Sequence, residues 1–180
     1  MNAAELGILD SIQEIFSCKF LDAVMPVITR FGDGGIFWIA IAVVLLLFKK
    51  TRKIGLTMGI ALAMGFIIGN LTLKNIVART RPYDLNPAFP LLIEKLSDFS
   101  FPSGHTLASF EASVSIFLYN KKFGTAAVIL AVLIALSRLY LYVHYPTDVL
   151  ASVIIGTTLA IVSFVIVKKI YAKFEKKSES

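Results

Sequence analysis

Charge is scarce in this 180-residue sequence, where Asp, Glu, Lys and Arg make up 17% of positions against 57% hydrophobic ones. That balance excludes an ordinary soluble domain, because the long apolar runs leave too little polar surface to cover one. Cysteine is scarcer still: Cys18 stands alone, so no intrachain disulfide can form and a structural role is expected for it. Residues 1–20 lack a basic segment leading into an unbroken apolar core, which argues against a cleavable signal peptide there. Internal repeats, low-complexity tracts and linkers are also missing, which leaves a single domain over 1–180.

What the sequence has is apolar runs, near 34–48, 54–73, 107–119, 123–142 and 149–167. Crossing a bilayer takes roughly 20 mostly apolar residues, so these predict about five transmembrane helices, some tilted or lengthened by flanking residues. The expected fold class is all-α, a polytopic membrane helix bundle. Before it, Leu6, Leu9, Ile12, Ile15 and Phe16 recur at helical spacing between Glu5, Asp10, Gln13 and Glu14, which predicts an interfacial helix. Residues 19–31 carry Pro26 and predict a second interfacial or half-inserted helix, with a further crossing as the alternative. Gly32, Asp33, Gly34 and Gly35 form a turn that closes this N-terminal segment, 1–33.

The formal charge of +6 does not point to nucleic acid, because the basic residues form clusters between the runs rather than one face. Lys49, Lys50, Arg52, Lys53, Lys121, Lys122, Lys168, Lys169, Lys173, Lys176 and Lys177 fall at ends that alternating spans place on one side. The positive-inside rule makes that side cytoplasmic. The first 33 residues hold Glu5, Asp10, Glu14, Asp22 and Asp33 against Lys19 and Arg30, which suits an outside N-terminus. A multi-pass protein of the cell membrane is expected. The one long polar loop, 74–103, carries Pro82, Pro87, Pro90 and Pro102 and emerges on the extracytoplasmic side. The basic tail from Lys173 to Ser180 is expected to fray.

Three polar clusters sit at that same side: Lys74 with Arg81 and Pro82; Pro102-Ser103-Gly104-His105; and Ser137-Arg138 followed by His144 and Asp148. Each alone is unremarkable, since basic residues snorkel at span ends and an acid in a first helical turn is ordinary. Together they hold both histidines of the chain. Phosphate chemistry needs donors for three oxygens, an in-line nucleophile and an acid for the leaving oxygen. Lys74, Arg81 and Arg138 supply cations, and Ser103 as an N-cap would leave the amides of Gly104, His105 and Thr106 free at a helix start. Pro146 suits the first helical position, placing His144 in the preceding turn and Asp148 where its carboxylate can set the imidazole tautomer. His144 is then the nucleophile and His105 the general acid.

The order Lys74, six residues, Arg81-Pro82, then Pro102-Ser103-Gly104-His105, then Ser137-Arg138, five residues, His144, three residues, Asp148 resembles the type 2 phosphatidic acid phosphatase superfamily. That resemblance implies dephosphorylation through a phosphohistidine without metal or other cofactor. It implies Lys74, Arg81, Ser103, Gly104 and Arg138 on the phosphate, His105 as acid, and His144 with Asp148 as nucleophile pair. The N-terminal third departs from six-span members of the family. The implied partner is a membrane lipid phosphate: undecaprenyl pyrophosphate, which an outward-facing site favours slightly, or phosphatidylglycerol phosphate or phosphatidic acid. Phosphotransfer to a lipid or sugar hydroxyl would use the same residues. A non-catalytic lipid binder or transporter would not require two histidines, three cations and a paired carboxylate at one face.

Overall fold

The computed structural model describes the backbone of residues 2–178 and the side chains of 3–174. Its helices are α1 (Asn2–Phe16), α2 (Lys19–Arg30), α3 (Ile36–Leu47), α4 (Arg52–Gly65), α5 (Lys74–Val77), α6 (Pro82–Leu85), α7 (Gly104–Tyr119), α8 (Lys121–Tyr140) and α9 (Pro146–Ser178). α4 runs through a π-helical stretch, Phe66–Leu73, directly into α5. Lys74 therefore sits on the helical extension of a span, and the irregular loop begins after Val77. No strand occurs among the described residues.

Four helical runs among the described residues are long and apolar enough to cross a membrane: Lys19–Leu47, Arg52–Leu85, Lys121–Tyr140 and Pro146–Phe174. α7, with 16 residues, is shorter, about 24 Å. It nevertheless sits at the centre, packed against α8, α9 and α4. The expectation of about five spans agrees with this bundle. In the first run, α2 joins α3 through a turn in which Gly34 (φ 56°) and Gly35 (φ 68°) take the left-handed backbone that glycine tolerates. α2 also packs along α8 and buries Thr29.

The bundle is apolar outside and small or polar inside, as a bilayer solvent demands. Ile36, Leu47, Phe66, Ile129, Leu150 and Ile154 face outward, whereas Ser109, Ser113, Ser115, Ser152 and Ser163 are buried. Small residues let the backbones close: a Cβ at Gly124 would overlap the Phe117 backbone, which fixes the α7–α8 approach. The basic ends also meet. Lys53 lies 4.6 Å over the Tyr171 ring, and Thr57 shares a 2.9 Å hydrogen bond with Tyr119, which brings the starts and ends of α4, α7 and α9 together at one end.

At the other end α1 lies across the 140–147 segment. Leu9 is buried with Tyr83, Tyr140, Leu141, Tyr142, Val143 and Tyr145. Asp10 accepts from the Tyr142 hydroxyl at 2.7 Å, and Gln13 Nε2 donates to the Tyr140 carbonyl. Polar residues that read as the wet face of a surface helix thus hold the loop between α8 and α9. The backbone of α9 runs on as helix past Lys173 to Ser178, where fraying was expected. Glu179 and Ser180 lie outside the described residues.

Candidate active site

A cavity of about 580 Å³ opens at the end of the bundle away from the lysine clusters, and Lys74, Arg81, Gly104, His105 and His144 all line it. Its other flank is apolar, running between α3 and α4 past Ile39, Val43 and Leu62. A second space of about 630 Å³ adjoins it at His105, lined by Thr29, Asp33 and Arg138. Residues of all three sequence clusters therefore line this cavity or the space that adjoins it.

Arg138, in the last turn of α8, is 1% exposed. Nη1 donates to Thr29 Oγ1 at 2.5 Å, but Nε and Nη2 have no partner. Burying unpaired guanidinium donors is costly, and an anion at this place would offset that cost. Lys74 and Arg81 differ, because both already hold a carboxylate. Lys74 Nζ lies 2.5 Å from Asp98 Oδ2 and Arg81 Nη2 2.5 Å from Asp98 Oδ1. Arg81 also donates through Nε to the Asp98 carbonyl at 2.8 Å and through Nη1 to the Val143 carbonyl at 2.7 Å. Burial alone would raise the Asp98 carboxyl, but the hydrogen bond and charge of Lys74, then those of Arg81, bring it down to about 2. Asp98 is half exposed, unlike the two cations it holds.

Ser103 caps α7 as expected, but it uses its own Oγ to accept from the Thr106 amide at 3.5 Å and meets Thr106 Oγ1 at 3.0 Å. Of the three amides expected to be free, Thr106 is thus taken, because an N-cap serine satisfies the third amide of its own helix. Gly104 and His105 retain theirs. His105 Nε2 lies 2.8 Å from Asp33 Oδ1, so the turn between α2 and α3 supplies a carboxylate to the imidazole.

His144 is buried between α8 and α9. Its Nε2 is 3.3 Å from Arg81 Nη1. Burial first, together with the charges of Arg81 and Arg138, outweighs Asp148 and holds the ring well below its usual 6.5, so it is neutral at pH 7. Pro146 does begin α9, and Asp148 lies in its first turn. The Asp148 contact is looser than expected: Nδ1 to Oδ2 is 3.7 Å, beyond hydrogen-bond reach, and Nδ1 has no partner. The reason is competition. Ser100 Oγ (2.5 Å) and the Tyr145 amide (3.0 Å) donate to Oδ2, while Arg79 Nη1 donates to Oδ1 at 2.5 Å.

Five residues at or behind this space escaped sequence reasoning: Thr29, Asp33, Arg79, Asp98 and Ser100. Arg79 left a trace, a third cation two positions before Arg81. The other four are brought in by tertiary packing and carry no local pattern.

A family model described as the PAP2 superfamily matches residues 50–172. An undecaprenyl-diphosphatase of Sulfolobus acidocaldarius is 35% identical over 145 residues, 79% of this chain and 69% of that protein. Phosphatidylglycerophosphatase B of Bacillus subtilis is 31% identical over 171 residues, 87% of this chain and 78% of that one. The crystal structure of a transmembrane PAP2-type phosphatidylglycerolphosphate phosphatase from Bacillus subtilis superposes with a TM-score of 0.73 and 28% identity, covering 95% of this chain and 86% of that one.

Proposed function

From the premise that this chain belongs to the PAP2 superfamily, we propose that it removes phosphate from a lipid phosphate or diphosphate through a phosphohistidine on His144. The observation that carries the reading is that both imidazoles line one cavity, beside a buried arginine with two unpaired donors. The apolar flank between α3 and α4 suits a lipid chain, and the polar end suits its phosphate.

The terminal phosphoryl group lies against Arg138 Nε and Nη2, the Gly104 and His105 amides, and Lys74 and Arg81 once Asp98 yields them. Neutral His144 attacks phosphorus through Nε2, on the side facing Arg81. The P–N bond forms as the bond from phosphorus to the leaving oxygen breaks, and charge spreads over the three equatorial oxygens held by these donors. Burial and the Arg138 charge hold the free His105 ring down to about 4; the charge of the bound phosphate, added to that of Asp33, offsets them, and His105 gives a proton to the departing oxygen. Water then attacks phosphorus as the P–N bond breaks, its proton passing to His105, so that inorganic phosphate is released and both histidines return to their starting state. Asp148 lies within 3.7 Å of the ring and stabilises the positive charge that develops there. No residue role here calls for a metal ion.

An undecaprenyl diphosphate is our first substrate, supported by the Sulfolobus relative's name, with phosphatidylglycerol phosphate and phosphatidic acid next. The lysine clusters at the far end support an extracytoplasmic site by the positive-inside rule. Phosphate release by purified protein from these three lipids, with and without chelator and an acceptor alcohol, tests the reading. Release unaffected by chelator and acceptor is expected. A strict requirement for a divalent ion or for an acceptor would refute metal-free hydrolysis.

A further inference from the structure

Behind the histidine pair lies a chain of ions that begins in α1, outside the span 50–172 that the family model matches. Glu5 is buried. Its Oε1 accepts from the Thr147 amide at 3.1 Å and from Thr147 Oγ1 at 2.6 Å, while Oε2 pairs with Arg79. Arg79 in turn donates through Nη1 to Thr147 Oγ1 at 2.8 Å and Asp148 Oδ1 at 2.5 Å, and lies 3.8 Å over the Tyr145 ring. Its own carbonyl accepts from the Ser100 amide at 2.8 Å, and Ser100 Oγ reaches the other oxygen of Asp148. Arg79 and Glu5 line neither of the two spaces described above.

We propose that Arg79, clamped by Glu5 from the N-terminal helix, is a positioning residue for Asp148, so that α1 forms part of the working site. The inference rests on the phosphohistidine reading. With one oxygen fixed by Arg79, Asp148 can turn only the other toward His144. Arg79 also offsets the carboxylate charge, and Glu5 offsets that of Arg79. Among the described residues, the charged and titratable groups facing the His144–Asp148 pair are Arg79 and Arg81 from the loop, Arg138 from α8, Tyr145 between α8 and α9, Asp98 through Arg81, and Glu5 from α1. Changing Arg79 or Glu5 alters this field with opposite signs while leaving the phosphate donors in place.

The experiment uses the full-length protein in detergent and the lipid phosphate it hydrolyses best. Arg79→Gln is expected to lower kcat about 10- to 100-fold with KM little changed, because misplacing a group by about 1 Å costs on that scale. Arg79→Lys should recover part of the loss, keeping charge without the planar fork. The acid limb of kcat/KM, where His144 takes up a proton, should move up by about one pH unit in Arg79→Gln and down in Glu5→Gln. Thermal unfolding of each variant, alongside inhibition by inorganic vanadate, separates lost folding from lost positioning; Glu5→Gln keeps its shape and should remain folded. An unchanged kcat in Arg79→Gln, or limbs that move the same way in both variants, would overturn the inference while leaving hydrolysis intact. No phosphate release from the unsubstituted protein would overturn the reading beneath it as well.

Discussion

Asp98 gives the sharpest prediction, because its carboxylate holds the two cations proposed to receive the phosphate. Both ion pairs are 2.5 Å long, and they bring the carboxyl from its usual 3.8 down to about 2. Without solvent screening, that shift corresponds to about 2 kcal/mol, since one pKa unit is about 1.4 kcal/mol. Asp98 is half exposed, so solvent screening cuts this to about 1 kcal/mol. Asp98→Asn keeps the size and some hydrogen bonding but removes the competing charge. A phosphate-like anion no longer has to displace it, so inorganic vanadate should inhibit about 5- to 10-fold more tightly, the factor that about 1 to 1.4 kcal/mol represents. Dose–response curves for vanadate against lipid-phosphate hydrolysis at pH 7 measure this. The sign also follows for stability: the folded-state value lies below the unfolded one, so the pairs stabilise the fold fully above about pH 4 and are lost as pH falls through about 2. Unchanged or weaker vanadate inhibition in Asp98→Asn would mean that the anion binds elsewhere, and the reasoning would fail.

Other residues carry equally definite outcomes. His105→Ala should slow hydrolysis by about 10²- to 10⁴-fold on a lipid substrate. It should slow an aryl phosphate far less, since a good leaving group needs no proton; equal losses on both would remove His105 from the acid role. Because burial and two arginines depress His144, the nucleophile should stay competent as pH falls through 6.5, and an acid limb at the ordinary histidine value, insensitive to substrate, would contradict this. The same depression makes the fold less stable below about pH 6.5, where the unfolded chain takes a proton that the folded one refuses. Gly124→Leu should push α7 from α8 and cost at least about 1 to 3 kcal/mol, visible as a lower Tm in detergent; an unchanged Tm would show that the close contact carries no constraint.

The spans and the motif residues were legible because each rests on local pattern: apolar length for the bundle, Ser103 as a cap, Pro146 as the first residue of α9. Their convergence was legible from the alternation of spans alone. What could not be read were pairings across distance. Asp33 meets His105 across 72 positions, Thr29 meets Arg138 across 109, and Glu5 meets Thr147 across 142. No periodicity links such residues, so Asp10 and Gln13 read as a wet helix face when they bind the α8–α9 loop. The spacing also placed Asp148 beside His144 but could not give the looseness of that contact, 3.7 Å. The intervals between residues 79, 100 and 148 say nothing of Arg79 and Ser100 competing for its oxygens.

The most direct test of the account is to quench turnover of a substrate labelled in its terminal phosphate and locate the label on the chain. Acid-labile, base-stable label on His144, absent in His144→Ala and decaying at the rate of phosphate release, is the expected result. Label on His105, or full turnover by His144→Ala, would contradict it.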